Sequence, residues 1–272
     1  MKKNNEHFPE SFLLLQQEGY LISSCLTTGL TELRVANVHN KGAFYSALFN
    51  LSVGIERLLK SIVIMEHMLS NNLSVPSKKQ LKKYGHNINE LYDTAVSIAS
   101  NHNISLPNRV AIDVINQDIM TLLGDFAQTT RFHNLNALSS PQSTKDPLTH
   151  WGEIILLILN HDVPKKQQTK ILNQANAVAI AMGNTFTLMQ GLDKQPLSTE
   201  EALALPGLHD QAAKHAVLRV INIISPLRDL ISELSRHANK FDGDSPPFPQ
   251  MQEFLEWMWE DRQYVLRKKR WP

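Results

Sequence analysis

Between Ala43 and Leu69 apolar side chains recur at Phe44, Leu48, Leu51, Ile55, Leu58, Ile62, Met65 and Leu69. Those steps of four and three residues put all of them on one face of an α-helix. Ala47 and Leu59, with Phe49, Val53 and Val63 at the sides, widen the stripe over most of the circumference. A helix apolar nearly all round is buried among others, so the pattern predicts a central helix of a bundle. Its few polar residues, Asn50, Glu56, Arg57 and Lys60, then require a reason to be there.

Around that helix the same period recurs. Residues 10–38 hold a helical segment (Phe12, Leu13, Leu15, Tyr20, Leu21), then a mixed stretch through Leu30, Leu33 and Val35. The central helix ends at Ser70-Asn71-Asn72, and a loop with Val75-Pro76-Ser77 and the basic run Lys78, Lys79, Lys82 and Lys83 follows. Asn87 with Glu90 three residues on has the form of a capping box. It opens a helix with Ile88, Leu91, Tyr92, Ala95, Ile98 and Ala99 on one face, closed by Asn101-His102-Asn103. Pro107 fits the first turn of a further helix carrying Ile112, Ile115, Ile119, Leu122 and Phe126, which reaches Thr130-Arg131-Phe132-His133-Asn134.

Ser139 to Pro147 is the best linker candidate. Beyond it, Trp151 to Asn160 reads as a short buried helix, with a strand left open by the β-branched pair Ile154-Ile155. Pro164 opens a helix through Ile171, Val178, Met182 and Met189, whose alanine-rich middle suggests close packing. Gly191 to Gly207 reads as a loop holding a small helix at Ser198 to Ala204, boxed by Ser198 and Glu201. A long helix from Leu208 to Asn239 follows, with Pro226 expected to kink it. After the proline-rich loop Asp242 to Pro249, a last helix carries Phe254, Leu255, Trp257, Met258 and Trp259. No alternation is long enough to build a sheet. The expected fold is an all-α multi-helix bundle: residues 1–140 form a helical core and 148–272 a helical region packed on it, as two domains or one continuous one.

Composition narrows the functional classes. A formal net charge of +1 argues against a globally basic nucleic-acid binder, leaving local patches open. The single cysteine, Cys25, excludes an internal disulfide and any cysteine-based zinc site, and fits a reducing cytoplasm. Residues 1–10 do not read as a signal peptide, and the longest apolar run, Ile154 to Leu159, is far short of the ~20 residues that span a bilayer. The expectation is a soluble cytoplasmic protein without cofactor, metal or membrane. His209 and His215 are six apart, whereas ligands on one helix face are three or four apart.

Four polar groupings each carry two readings. Glu56 and Lys60 form a helical ion pair, or line a groove between helices where they contact substrate. Gly85-His86-Asn87 is a turn with an N-cap, or a helix end that holds phosphate. Arg131-Phe132-His133-Asn134 is a helix C-cap with Asn134 in a left-handed turn, or a phosphodiester site. In the second case Arg131 neutralises phosphate, His133 moves a proton, Phe132 stacks on a base, and Asn134 binds substrate. The tail from Arg262 through Arg270, with five basic residues and the aromatics Tyr264 and Trp271, is a solvated charge run, or holds RNA or a membrane surface.

The first 140 residues resemble the HEPN superfamily of small helical bundles. The resemblance rests on Gly54-Ile55-Glu56-Arg57-Leu58-Leu59-Lys60 in a long central helix, a basic loop, Gly85-His86-Asn87-Ile88 opening the next helix, and Arg131-Phe132-His133-Asn134 at the end of the following one. It implies a bacterial protein of the toxin–antitoxin, abortive-infection or phage-defence type, with an RNA- or nucleotide-related role and dimers that form a cleft. The family's ribonuclease signature spaces Arg and His four to six residues apart; Arg131 and His133 are only two apart, and Arg34 to His39 has the spacing but precedes the central helix. Two classes of function follow. One is an RNA- or nucleotide-binding protein that cleaves RNA without metal, using Arg131 and His133 with Glu56, Lys60, His86, Asn87 and Asn134 around the substrate. The other is a non-catalytic module that dimerises or binds a partner protein.

Overall fold

The computed structural model describes residues 8–106, 113–141, 143–183, 185–238 and 246–272. Pro107 and Ile112, expected to begin a helix, lie outside these residues, as do Asn239, Lys240 and Asp242. Among the described residues there are ten α-helices and no strand. They are α1 Glu10–Val35, α2 Lys41–Ser70, α3 Lys78–Lys83, α4 Ile88–Asn101, α5 Val114–Gln128, α6 His133–Ser139, α7 Pro147–His161, α8 Lys165–Met182, α9 Thr199–Ala238 and α10 Arg262–Arg267. The all-α bundle holds, and α7 is a helix rather than a strand.

Helix α2 is the centre of the bundle. Phe44, Leu48, Leu51, Ile55, Leu58, Ile62 and Met65 are all buried, and α1, α4, α5 and α9 pack around it. It pairs with α1 through two reciprocal notches. A side chain at Gly29 would meet Leu51 at 2.7 Å, and one at Gly54 would meet Leu26 at 2.8 Å. As position 26 faces 54 and 29 faces 51, the two helices run antiparallel. Residues of both halves of the chain, from Leu15 to Trp271, belong to one hydrophobic cluster.

Several elements differ from the pattern-based expectation, each for a local reason. Helix α1 is one continuous helix. Its buried stripe, Phe12, Leu15, Gly19, Ile22, Leu26, Leu30 and Leu33, has helical spacing, but Gly19 interrupts the apolar pattern while the conspicuous Leu13, Tyr20 and Leu21 face outward. The basic run is not loop. Ser77 and Gln80 form a capping box that starts α3. Helix α8 stops at Met182, short of Met189, and buries only Ala175, leaving Val178 and Met182 exposed; its close approach is to α9, where a side chain at Gly207 would come within 3.1 Å of Ile171.

The expected small helix and long helix merge into the forty-residue α9, which runs through both Pro206 and Pro226. An interior proline costs about 3 kcal/mol. Here the buried row Val217, Ile221, Ile224, Leu227, Ile231 and Leu234 outweighs that cost. The last expected helix is instead a 3-10 turn over Met251–Leu255, followed by α10. No described helix is long and apolar enough to cross a membrane.

Candidate functional site

A cleft of about 780 Å³ opens along one side of α2. Glu56, Arg57 and Lys60 rise from α2 and Glu18 from α1. His86 enters from the turn before α4, and Arg131 from the turn after α5. Three of the polar residues that interrupt the apolar α2, Glu56, Arg57 and Lys60, therefore have a place on the floor of this cleft, while Asn50 donates back to the Ser46 carbonyl of its own helix.

Glu56 is its hub. Lys60 Nζ donates to Glu56 Oε1 at 2.7 Å, and His86 Nδ1 lies 2.8 Å from the same oxygen. A carboxylate oxygen accepts, so Nδ1 carries the hydrogen, and in the neutral form of the ring Nε2 has the lone pair. The His86 side chain is 67% exposed against 17% for Glu56, so an accessible imidazole is held by a sheltered anion. Gly85 delivers it there: φ is +57°, and a side chain at that position would meet nothing within 4 Å, so glycine is required by conformation and not by space.

The remaining charges are arranged around that pair. Arg57 Nη1 donates to both oxygens of Glu18, at 2.8 and 2.6 Å, and these bonds push Arg57 further above its already high pKa. Arg131 has no ion-pair partner among the described residues; its guanidinium lies 5.1 Å from the centre of the Phe132 ring. Three cations (Arg57, Lys60, Arg131) and two carboxylates (Glu18, Glu56) line the cleft, which is net positive before any protonation of His86.

Of the residues singled out in the sequence, Glu56, Lys60, His86 and Arg131 converge. His133, Asn87 and Asn134 do not. Thr129 breaks α5 with φ −132°, Thr130–Phe132 makes a single 3-10 turn, and His133 begins α6 pointing away. It is buried, with Nδ1 3.3 Å from Thr144 Oγ1 and Nε2 3.8 Å from Asp146. The expected Arg131–His133 couple is therefore not assembled in this cleft. Nor does Asn134 form a left-handed cap: it lies within α6 and donates to the Tyr45 hydroxyl at 2.6 Å. Asn87 caps α4, accepting from the backbone N–H groups of Asn89 and Glu90.

The Arg34 to His39 spacing also leads elsewhere. Arg34 is buried and donates to Asp210 at 2.8 Å, while His39 is exposed. His209 is buried with its ring 6.1 Å from that of Phe44. No group of three His, Cys, Asp or Glu side chains placed to hold a metal occurs among the described residues.

Sequence reasoning misses Glu18, whose role appears only once α1 and α2 pair. It also gives no sign of the structural hub at Arg219. This buried guanidinium donates to Asp162 at 2.6 Å, to Asp113 at 2.7 Å and to Asn116 at 2.8 Å. Burial alone pushes Asp162 and Asp113 up, but the hydrogen bonds and charge of Arg219 outweigh it and both lie below the usual carboxylate range. Comparison of the chain with protein-family models, curated proteins and solved structures finds no match.

Proposed function

We propose that the α2 cleft binds a phosphate-bearing ligand, RNA or a nucleotide, and that the chain is a HEPN-like protein that cleaves RNA without metal. The observation that carries this reading is the Glu56–His86 pair facing the same net-positive cleft as Lys60, Arg57 and Arg131. A cleft of about 780 Å³ is of the size that encloses a nucleotide-sized ligand. Arg131, free of any described ion pair, offers its guanidinium fork to phosphate.

In the cleavage reaction His86 replaces His133 as the proton carrier. Its Nε2 takes the proton of a ribose 2′-hydroxyl, the 2′ oxygen attacks the adjacent phosphorus, and the bond to the 5′ oxygen breaks; that oxygen takes a proton from a water, and the hydroxide left takes the proton from the His86 imidazolium. Glu56 holds the ring in the required tautomer and stabilises its charged form, as a carboxylate does for an imidazole base. Lys60 and Arg131 offset the charge that develops on the phosphoryl oxygens. The products are a 2′,3′-cyclic phosphate and a 5′-hydroxyl end. Incubating the purified chain with total RNA in a chelator tests this. Cleavage to such ends, lost on His86→Ala and weakened on Arg131→Ala, is expected; intact RNA, or cleavage indifferent to both changes, contradicts it.

A second reading has its own observation. Ile180, Met182, Phe186 and Leu188 are exposed at one end of the α8 region, the last two by more than four-fifths. A non-catalytic module that dimerises or docks a partner protein accounts for such a surface. It predicts that Ile180→Glu changes the oligomeric state in analytical ultracentrifugation while His86→Ala changes nothing.

A further inference from the structure

Five of the 27 Lys and Arg residues fall between Arg262 and Arg270, and no acidic residue follows Asp261. The structure gives this charge run a fixed shape. Val265 and Trp271 are buried, the Trp271 backbone N–H donates to Thr31 Oγ1 at 3.0 Å on α1, and Arg228 of α9 donates to the Met258 carbonyl at 2.8 Å and pairs with Glu260. The segment is bound to the bundle along its length, so its side chains are presented and not trailing in solvent.

What it presents is a ladder of cations with the Trp259 and Tyr264 rings, backed by the buried Trp271. The Trp259 and Tyr264 rings are 6.0 Å apart, and Lys268 Nζ lies 4.8 Å from the Tyr264 ring and 5.9 Å from the Trp271 ring. Trp259 is 62% exposed, and Arg262, Arg267, Lys269 and Arg270 are all exposed around the ladder. Of the nearest preceding acids, Glu260 pairs with Arg228, and Asp261 caps α10 by accepting from the Tyr264 backbone N–H.

We infer that this surface, separate from the α2 cleft, binds single-stranded nucleic acid. The exposed Trp259 ring, with Tyr264 beside it and cations around them, matches bases that stack and a backbone that carries one charge per nucleotide. An anionic membrane would need an apolar helix face to insert, and the aliphatic residues of α10 are spent on the bundle: Val265 is buried in the core and Leu266 packs against it. The inference does not depend on catalysis at His86.

Fluorescence polarisation of the full chain with a labelled oligouridylate of about 15 nucleotides tests it. Trp259→Ala is expected to weaken binding roughly ten-fold by removing one stacked base. Changing Arg262, Lys269 and Arg270 together to Gln is expected to flatten the salt dependence of log Kd by about 2, at about 0.7 for each phosphate that is no longer neutralised. Circular dichroism on the same variants checks that they remain folded. Binding that is unchanged in both variants but lost in Arg131→Ala overturns this surface and leaves the cleft as the binding site. Binding to phosphatidylserine vesicles with none to the oligouridylate overturns it in favour of a membrane contact.

Discussion

At the scale of single residues, the chain divides its histidines by what surrounds them. His86 is accessible and anchored by Glu56, whereas burial, with the nearby His39 charge, pulls His209 down from its ordinary value to about 4. The folded state therefore takes up fewer protons than the unfolded one between those values. Stability is full above the unfolded pKa and falls as pH drops from about 6.5 toward 4, by about 3 kcal/mol at the lower limit. Thermal melts across this range are expected to show that loss, and His209→Phe to reduce it. The lowered carboxylates Asp113, Asp146, Asp162 and Asp210 add to the loss at the acid end, as pH falls toward and through the ordinary Asp value of 3.8 and the unfolded chain takes up protons that the folded one does not. A stability curve flat from 6.5 to 4 contradicts the burial of a neutral His209. The cleft residues are legible at this scale because Glu56 and Lys60 are charges on an otherwise apolar helix. His86 is legible because it adjoins the Asn87 cap. The place of His133 is not, because nothing local marks the break at Thr129, where the chain restarts as α6.

At the scale of elements, uninterrupted periodicity decides what can be read from sequence. Helices α2 and α4 keep their apolar rows without a gap and are readable nearly to the residue. Helices α1 and α9 read as broken because Gly19 and Pro206 sit in their rows, and only tertiary packing shows why those residues are tolerated. Gly29 is a point of close approach: a methyl there would press on Leu51 at 2.7 Å and on its backbone nitrogen at 3.0 Å. Gly29→Ala is expected to cost about 1–3 kcal/mol by overpacking, despite the higher helix propensity of alanine, as measured by urea unfolding. The outer face of α8 predicts the opposite. Ile180 is 72% exposed, and Ile180→Lys is expected to change stability by less than about 0.5 kcal/mol in the same measurement.

At the scale of the whole molecule, the two halves of the chain are joined by apolar packing and by a buried ionic tie. Arg219 on α9 reaches the cap of α5 through Asp113 and the end of α7 through Asp162. Replacing it with Met keeps the volume but strands both carboxylates and Asn116. Because Asp113 is half exposed and can turn to water, the cost is expected near the low end for a broken buried pair, about 3 kcal/mol by urea unfolding. Such long-range ties have no signature in sequence, since Arg219 and Asp113 are 106 positions apart. The same is true of the cleft, whose walls come from α1, α2, the turn before α4 and the turn after α5. In the reaction proposed for this cleft His86, held by Glu56, carries the proton in metal-free RNA cleavage. The most direct measurement is the cleavage rate of the purified chain on RNA in chelator, compared with His86→Ala and Glu56→Gln. Cleavage to 2′,3′-cyclic phosphate ends is expected, reduced by at least roughly 100-fold in His86→Ala and partly in Glu56→Gln, with both variants folded. RNA left intact by the unaltered chain, or cut equally well by His86→Ala, contradicts it.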